Sequence, residues 1–336
     1  MMGGQIKIAA YVADWSFHRD IIMEDAAKLT HLNYSFGLVK DGAVSVAHCG
    51  NLPRLIRAHE MYPSLKINLS IGGWTAGGFS EAVATAKGRE ALAQSAVKLI
   101  DELPLTGIDW DWEYPGSGEA GIACAEDDPE KVTLLLTRTR ELLDERGARD
   151  GKYYEQSIAV GASRTEDYIW NDALPTLDSV NLMTYDMAMP GMAALHTNLR
   201  PSPNAAYSAE TSVEDFVKAG VPAEKLFIGA AFYFHRYLGV KSKGGAAAAM
   251  EKRGEGFSYR TFKEEEAQFE RFIDEQAGAS AYRRGEEYLS GDDPDSLRLK
   301  GAYVRERGLG GVIIWELNHD VEGELLSALY GGVYAK

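Results

Sequence analysis

Eight short runs rich in β-branched and aromatic residues, separated by stretches of helical periodicity, constrain this chain more than any other feature. The predicted strands are Ile6 to Ala13, His31 to Val39, Leu65 to Gly73, Gly107 to Tyr114, Gln156 to Ala162, Val180 to Met187, Leu226 to Tyr233 and Gly311 to Glu316. Helical spacing predicts helices from Ser80 to Leu103, from Pro129 to Arg146 and from Pro294 to Arg307. Shorter ones are predicted after Thr211, with Glu214 as its capping-box partner, and after Asp320. Such alternation demands parallel pairing through crossover helices, which a doubly wound sheet and a (β/α)8 TIM barrel both satisfy. Eight units choose the barrel.

One connection is too long for a loop and a single helix. After Tyr233 come KSKGGAAAAMEKRGEGF, with the look of a flexible segment, the charged helical run TFKEEEAQFERFIDE and the turn-rich YLSGDDPDS. The expectation is a small α+β insertion between strand 7 and helix 7, over 238–292, with 1–237 and 293–336 forming the barrel. Without the insertion the barrel is close to the ~250 residues usual for that architecture.

The chain has 336 residues, is 45% apolar and 25% charged, and carries a formal charge of −15. That composition excludes a disordered or collagen-like chain, and the acid excess argues against nucleic-acid and anionic-membrane partners. No apolar run is long enough to span a bilayer, and MMGGQIKIAA lacks the pattern of a secretory signal. It is either a natural start, implying a cytoplasmic protein, or the remnant of a removed signal, implying a secreted one. Cys49 and Cys124 allow at most one bridge and fit no zinc spacing, so free thiols are expected.

The chemistry concentrates in Gly107-Ile-Asp-Trp-Asp-Trp-Glu-Tyr-Pro-Gly116. Side chains alternate along a strand, so Asp109, Asp111 and Glu113 share one face while Trp110 and Trp112 share the other. In a barrel the tryptophans then pack under the outer helices and the acids line the interior. Glu113 reaches the C-terminal mouth, about 13 Å along the strand from Asp109. The two deeper acids cannot both ionise cheaply and are expected to share a proton. A magnesium site ranks second, because one straight strand spreads its carboxylates too far apart for a single ion.

With these residues in place the sequence resembles the family 18 glycoside hydrolases, the chitinase family, over nearly its whole length. The family pattern D-x-x-D-x-D-x-E appears as Thr106-x-x-Asp109-x-Asp111-x-Glu113, with threonine in the first place. S-x-G-G matches Ser70-Ile-Gly-Gly73, followed by Trp74. M-x-Y-D matches Met183-Thr-Tyr185-Asp186, and the last strand carries Trp315. The strand-7 pattern P-F-Y-G-R appears as Ala231-Phe-Tyr-Phe-His235-Arg236, so the arginine's place falls to His235 directly or to Arg236 by a shift of one.

The resemblance implies a chitinase cutting β-1,4 linkages between N-acetylglucosamine units, with retention and through an oxazolinium ion formed by the substrate's own acetamido group. Glu113 would be the acid, Asp111 the partner of the acetamido N–H, Asp109 the carboxyl sharing its proton, and Tyr185 a donor to the acetamido carbonyl. Tyr11, Phe36, Trp74, Met183, Asp186, Tyr233 and Trp315 would contact substrate, and Ser70 would support Asp109. His196 and His235 are read as surface or packing residues. No cofactor and no metal are implied; chitin or chito-oligosaccharides are the partners, and a monomer is expected. The alternatives are an endo-β-N-acetylglucosaminidase acting on glycans and, with less support because Glu113 is present, a chitin-binding lectin.

Overall fold

A computed structural model describes residues 5–187, 191–205, 207–241, 248–249, 252–253 and 256–335. Its barrel strands are β1 (Lys7–Ala13), β2 (His31–Lys40), β3 (Lys66–Gly72), β4 (Gly107–Asp111), β5 (Glu155–Gly161), β6 (Ser179–Met183), β7 (Leu226–Ala231) and β8 (Gly311–Trp315). Each pairs in parallel with its neighbours in chain order, and β8 pairs with β1 to close the ring. Closure leaves no free edge and gives every strand one face toward the barrel axis and one toward the helices. Among the described residues no helix is long and apolar enough to cross a membrane.

The outward face of β4 shows why the alternation in its sequence matters. Trp110 and Trp112 are buried against Phe79, the Trp112 ring lying 5.2 Å from it and nearly parallel. Losing one such buried aromatic typically costs about 3–5 kcal/mol, so this layer pins the strand's rotation. The three acids are thereby turned inward.

Several element limits differ from the expected ones, each for a local reason. The helix expected from Ser80 to Leu103 is two, Phe79–Val83 and Ala86–Glu102, because extended Thr85 caps the second by accepting the Gly88 N–H. The cap expected at Thr211 is instead Ser208, whose hydroxyl accepts the Thr211 N–H, and the helix runs Ala209–Lys218. Asp320 does not open the last helix. Its carboxylate gathers the N–H groups of Val321, Leu325 and Leu326, and the helix is Glu324–Tyr334. Helix Leu52–Met61, with Pro53 at its start, was not anticipated. Pro294–Arg307 stands as expected, and the expected Pro129 helix extends over Asp128–Asp150.

The expected seventh strand divides in two. β7 ends at Ala231, and Tyr233–Leu238 turns away to begin a second, antiparallel sheet. Its other members include Glu270–Asp274, Ala279–Arg284 and Glu287–Gly291, with helix Tyr259–Glu265 packed against it through Phe234, Phe262 and Tyr282. Most of the glycine- and alanine-rich run expected to be flexible lies outside the described residues.

The N-terminal end of the barrel is closed by charge. Glu155, buried at the start of β5, pairs with His31 at 2.6 Å, with Lys7 at 3.4 Å and with Lys66. Burial would raise its pKa, but the contacts with His31, Lys7 and Lys66 outweigh burial and hold the carboxyl well below the usual range. A depressed carboxyl contributes stability above its unfolded pKa and loses it as pH falls toward the folded value. Glu155→Gln is therefore expected to cost about 2 kcal/mol at neutral pH, discounting the buried-pair range because both lysines are partly exposed. In denaturation experiments the difference from wild type should shrink progressively below about pH 4. A difference that stayed constant on acidification would contradict this role.

Candidate active site

Four strands converge on Asp109, which is fully buried. Its Oδ2 accepts from Tyr11 at 2.8 Å and Ser70 at 2.7 Å, and its Oδ1 accepts from Ser157 at 2.6 Å and Asn181 at 3.1 Å. The donors come from β1, β3, β5 and β6, with Ser70 and Ser157 paired on either side of Asp109 in the sheet register. All four lone-pair positions of the carboxylate are thus occupied by donors. Burial pushes its pKa up, and the four donors pull part of that rise back.

Asp111 stands one level higher and is also buried, but its Oδ1 has no hydrogen-bond partner among the described residues. Burial, followed by the charges of Glu113 and Asp109, raises its pKa well above the usual carboxylate range. The two deeper acids thus differ in surroundings: Asp109 has every lone pair met by a donor, and Asp111 keeps an oxygen free for one.

β4 ends at Asp111, short of the expected Tyr114, because its pairing with β5 stops at Trp110. Glu113 lies beyond the ladder at the mouth, with its pKa raised to about 7. Burial is the main cause, the charge of Asp186 adds to it, and Tyr114 and Arg164 act against it. Arg164 reaches this corner from the segment after β5 and covers the Tyr114 ring at 3.9 Å.

β6 likewise ends at Met183, so Tyr185 and Asp186 are carried on the segment leaving the barrel. Tyr185 is buried against the backbone of Gly229, where a Cβ would lie 2.7 Å from its ring. Burial and then the charges of Asp111 and Glu113 raise its pKa well above the usual value, so the phenol keeps its proton and can donate. Asp186, at a positive φ of 57°, contacts His235 through Oδ1, and its N–H donates to Nδ1 of His196 at 3.2 Å. Burial would raise Asp186, but His235, His196 and Tyr233 outweigh it and hold it near 2.

His196 and His235 are buried and stacked at 3.8 Å, almost parallel, so they belong to the site's wall rather than to the surface. Direct alignment also places His235, not Arg236, toward Asp186; Arg236 pairs with Glu287 at 2.6 Å. Donor atoms of Asp186, His196 and His235 lie within 4.8 Å of one another. Parallel stacked rings direct their in-plane lone pairs side by side instead of toward one point, and the facing nitrogens already serve Asp186. The set is built for hydrogen bonding.

Aromatic surfaces flank the acids. Phe36 stacks on Trp315 at 5.6 Å, and Trp15, 70% exposed and not anticipated, stands against both. Trp74 is 54% exposed opposite Tyr114, and Tyr233 packs against Tyr185. Met183 is buried in the same interior cluster as Tyr185. Tyr11, expected along the lining, is buried beneath it as a support for Asp109. Gly72 and Gly73 admit this geometry. Both have positive φ, and added Cβ atoms would lie 2.0 Å from the Asp111 carbonyl oxygen and 2.5 Å from the Phe36 ring. Thr106 sits at the base, its hydroxyl within 3.1 Å of the Ile67 carbonyl and of Asn68.

Residues 7–320 match the model of glycosyl hydrolases family 18. Chitinase A1 of Niallia circulans is 33% identical over 81% of this chain, which spans 43% of that relative's length. Endochitinase 1 of Metarhizium robertsii is 30% identical over 96% of this chain and 83% of its own. The solved structure of a family 18 N-acetylglucosaminidase from Paenibacillus barengoltzii is 40% identical, covers 98% of this chain and 100% of that one, and superposes with a TM-score of 0.91. The chain belongs to glycosyl hydrolase family 18.

Proposed function

We propose that this protein is a chitinase, acting as a monomer on chito-oligosaccharides or accessible chitin by substrate-assisted, retaining hydrolysis. The observation that carries the reading is the buried Oδ1 of Asp111, which has no partner among the described residues and lies within electrostatic reach of the mouth acid Glu113 and the phenol of Tyr185. A buried polar atom without a partner is costly unless a ligand supplies one. An N-acetyl group offers both what Asp111 lacks, an N–H, and what Tyr185 can bind, a carbonyl oxygen.

The chemistry follows from that placement. The acetamido carbonyl oxygen attacks the anomeric carbon as the glycosidic C–O bond breaks, and the leaving oxygen takes the proton of Glu113. The resulting oxazolinium ion carries positive charge on its N–H, which the Asp111–Asp109 pair stabilises electrostatically. Glu113, now a carboxylate, removes a proton from water as that water adds to the anomeric carbon and the carbonyl oxygen departs. Asp186 contributes by raising Glu113 into a range where it holds a proton at neutral pH. Trp315 and Phe36 supply a flat apolar floor for the pyranose ring. Tyr233, from the first strand of the second sheet, closes one side, so that sheet acts as a wall of the cleft.

Product analysis on defined chito-oligosaccharides, beside a biantennary glycopeptide, tests the substrate class. Cleavage within the chito-oligosaccharides and none of the glycopeptide is expected. The reverse pattern would favour the endo-β-N-acetylglucosaminidase reading, and release of single residues alone would align the protein with its Paenibacillus neighbour. Glu113→Gln should preserve folding and sugar binding while lowering turnover by about 10²–10⁴-fold. Because the acid must start protonated, and its pKa lies near 7, kcat/KM should hold below that value and fall above it. An alkaline limb displaced far from neutrality in the pH profile would place the acid elsewhere.

A further inference from the structure

Lys300, on helix Pro294–Arg307, is fully buried, and its ammonium group is saturated. It donates to Asp292 Oδ2 at 2.6 Å, to Thr197 Oγ1 at 2.6 Å and to the Gly229 carbonyl at 3.0 Å. Asp292 follows the last strand of the second sheet. Its Oδ2 also accepts the Ala231 N–H at 2.8 Å, and its Oδ1 accepts from Ser296 at 2.8 Å. Thr197 lies on the segment after β6 and contacts the carbonyl of Thr184 at 3.2 Å. Thr184 in turn accepts the Gly229 N–H on its hydroxyl at 2.7 Å.

These bonds surround one side chain. Thr184 immediately precedes Tyr185, and Gly229 is the bare backbone on which the Tyr185 ring rests. We propose that Lys300, through Thr197 and Gly229, is a positioning residue for the reaction, fixing the height and tilt of the Tyr185 phenol above the acids. The inference rests on the assignment of Tyr185 to the acetamido carbonyl. Fastening the second sheet to the barrel would not by itself call for a buried ion pair, since apolar packing does that without desolvating two charges. A rigid ammonium tripod instead sets three backbones at once: the end of the insertion, the strand under Tyr185 and the segment that carries it. Misplacement of a donor by about 1 Å is enough to lower turnover substantially, which gives such a device its use.

Thr197→Val removes the link between Lys300 and Thr184, together with the 3.2 Å contact of the Thr197 hydroxyl with Asp292, and leaves Lys300 its own contacts with Asp292 and Gly229, so the variant should fold with a somewhat lower melting temperature. Steady-state kinetics on a chito-oligosaccharide should show kcat reduced about tenfold with KM within about twofold, the signature of an interaction realised in the transition state. Thr197→Ser, which restores the hydroxyl, should recover most of the loss. Combined with Tyr185→Phe, Thr197→Val should cause little further loss, because both act through the same phenol. If Tyr185→Phe is impaired while Thr197→Val turns over normally and only melts earlier, or if the two losses multiply, the positioning role is overturned while the Tyr185 assignment stands. A fully active Tyr185→Phe would overturn that assignment and the inference with it.

Discussion

A carboxylate sealed inside a barrel persists only if hydrogen-bond donors replace the water it has lost, and Asp109 has four. The rest of the site depends on that arrangement. Donors occupy every lone pair of Asp109, whereas burial and the charges of Glu113 and Asp109 raise the pKa of Asp111 well above the usual carboxylate range. Glu113, beyond the end of the strand ladder, is tuned separately by burial and by Asp186. Depth and surroundings, rather than residue type, therefore set the three acids apart.

The barrel is what makes this possible. Closure brings Tyr11, Ser70, Ser157 and Asn181, which are far apart in sequence, to one level of the interior. The tryptophan layer on the outer face of β4 prevents rotation of the strand that would expose the acids. At the mouth, Tyr185 and Asp186 leave β6 just where Tyr233 and His235 arrive from the second sheet, so that sheet completes the wall nearest the acids.

The alternation of acids and tryptophans in β4 was readable because a period of two separates chemically opposite residues, and eight strand runs of one kind implied the ring. The partners of Asp109 were less visible. Ser70 stood out only through its glycine-rich motif, and Ser157 and Asn181 resemble any small polar residue in a strand until closure sets them in register with Asp109. Tyr11 was placed on the lining because its sequence shows an aromatic near a strand end and nothing of its depth. Sequence alone reads His196 and His235 as surface or packing residues, because their contact with Asp186 depends on where Tyr233–Leu238 departs from the barrel, a turn that periodicity does not reveal. Trp15, on a short 3-10 turn after β1, carried no signal beyond its size.

In the proposed reaction the nucleophile belongs to the substrate, and the protein supplies a proton donor and a buried pair of carboxyls beneath an apolar floor. That reaction is tested most directly by comparing hydrolysis of a chito-oligosaccharide with that of the same chain bearing a free amine in place of the acetamide on the sugar whose anomeric bond is cut. The account predicts that deacetylation at that one sugar abolishes turnover even where the oligosaccharide still binds. Equal rates on the two substrates would contradict it and would require a protein nucleophile, with Asp111 and Asp186 the carboxyls in place.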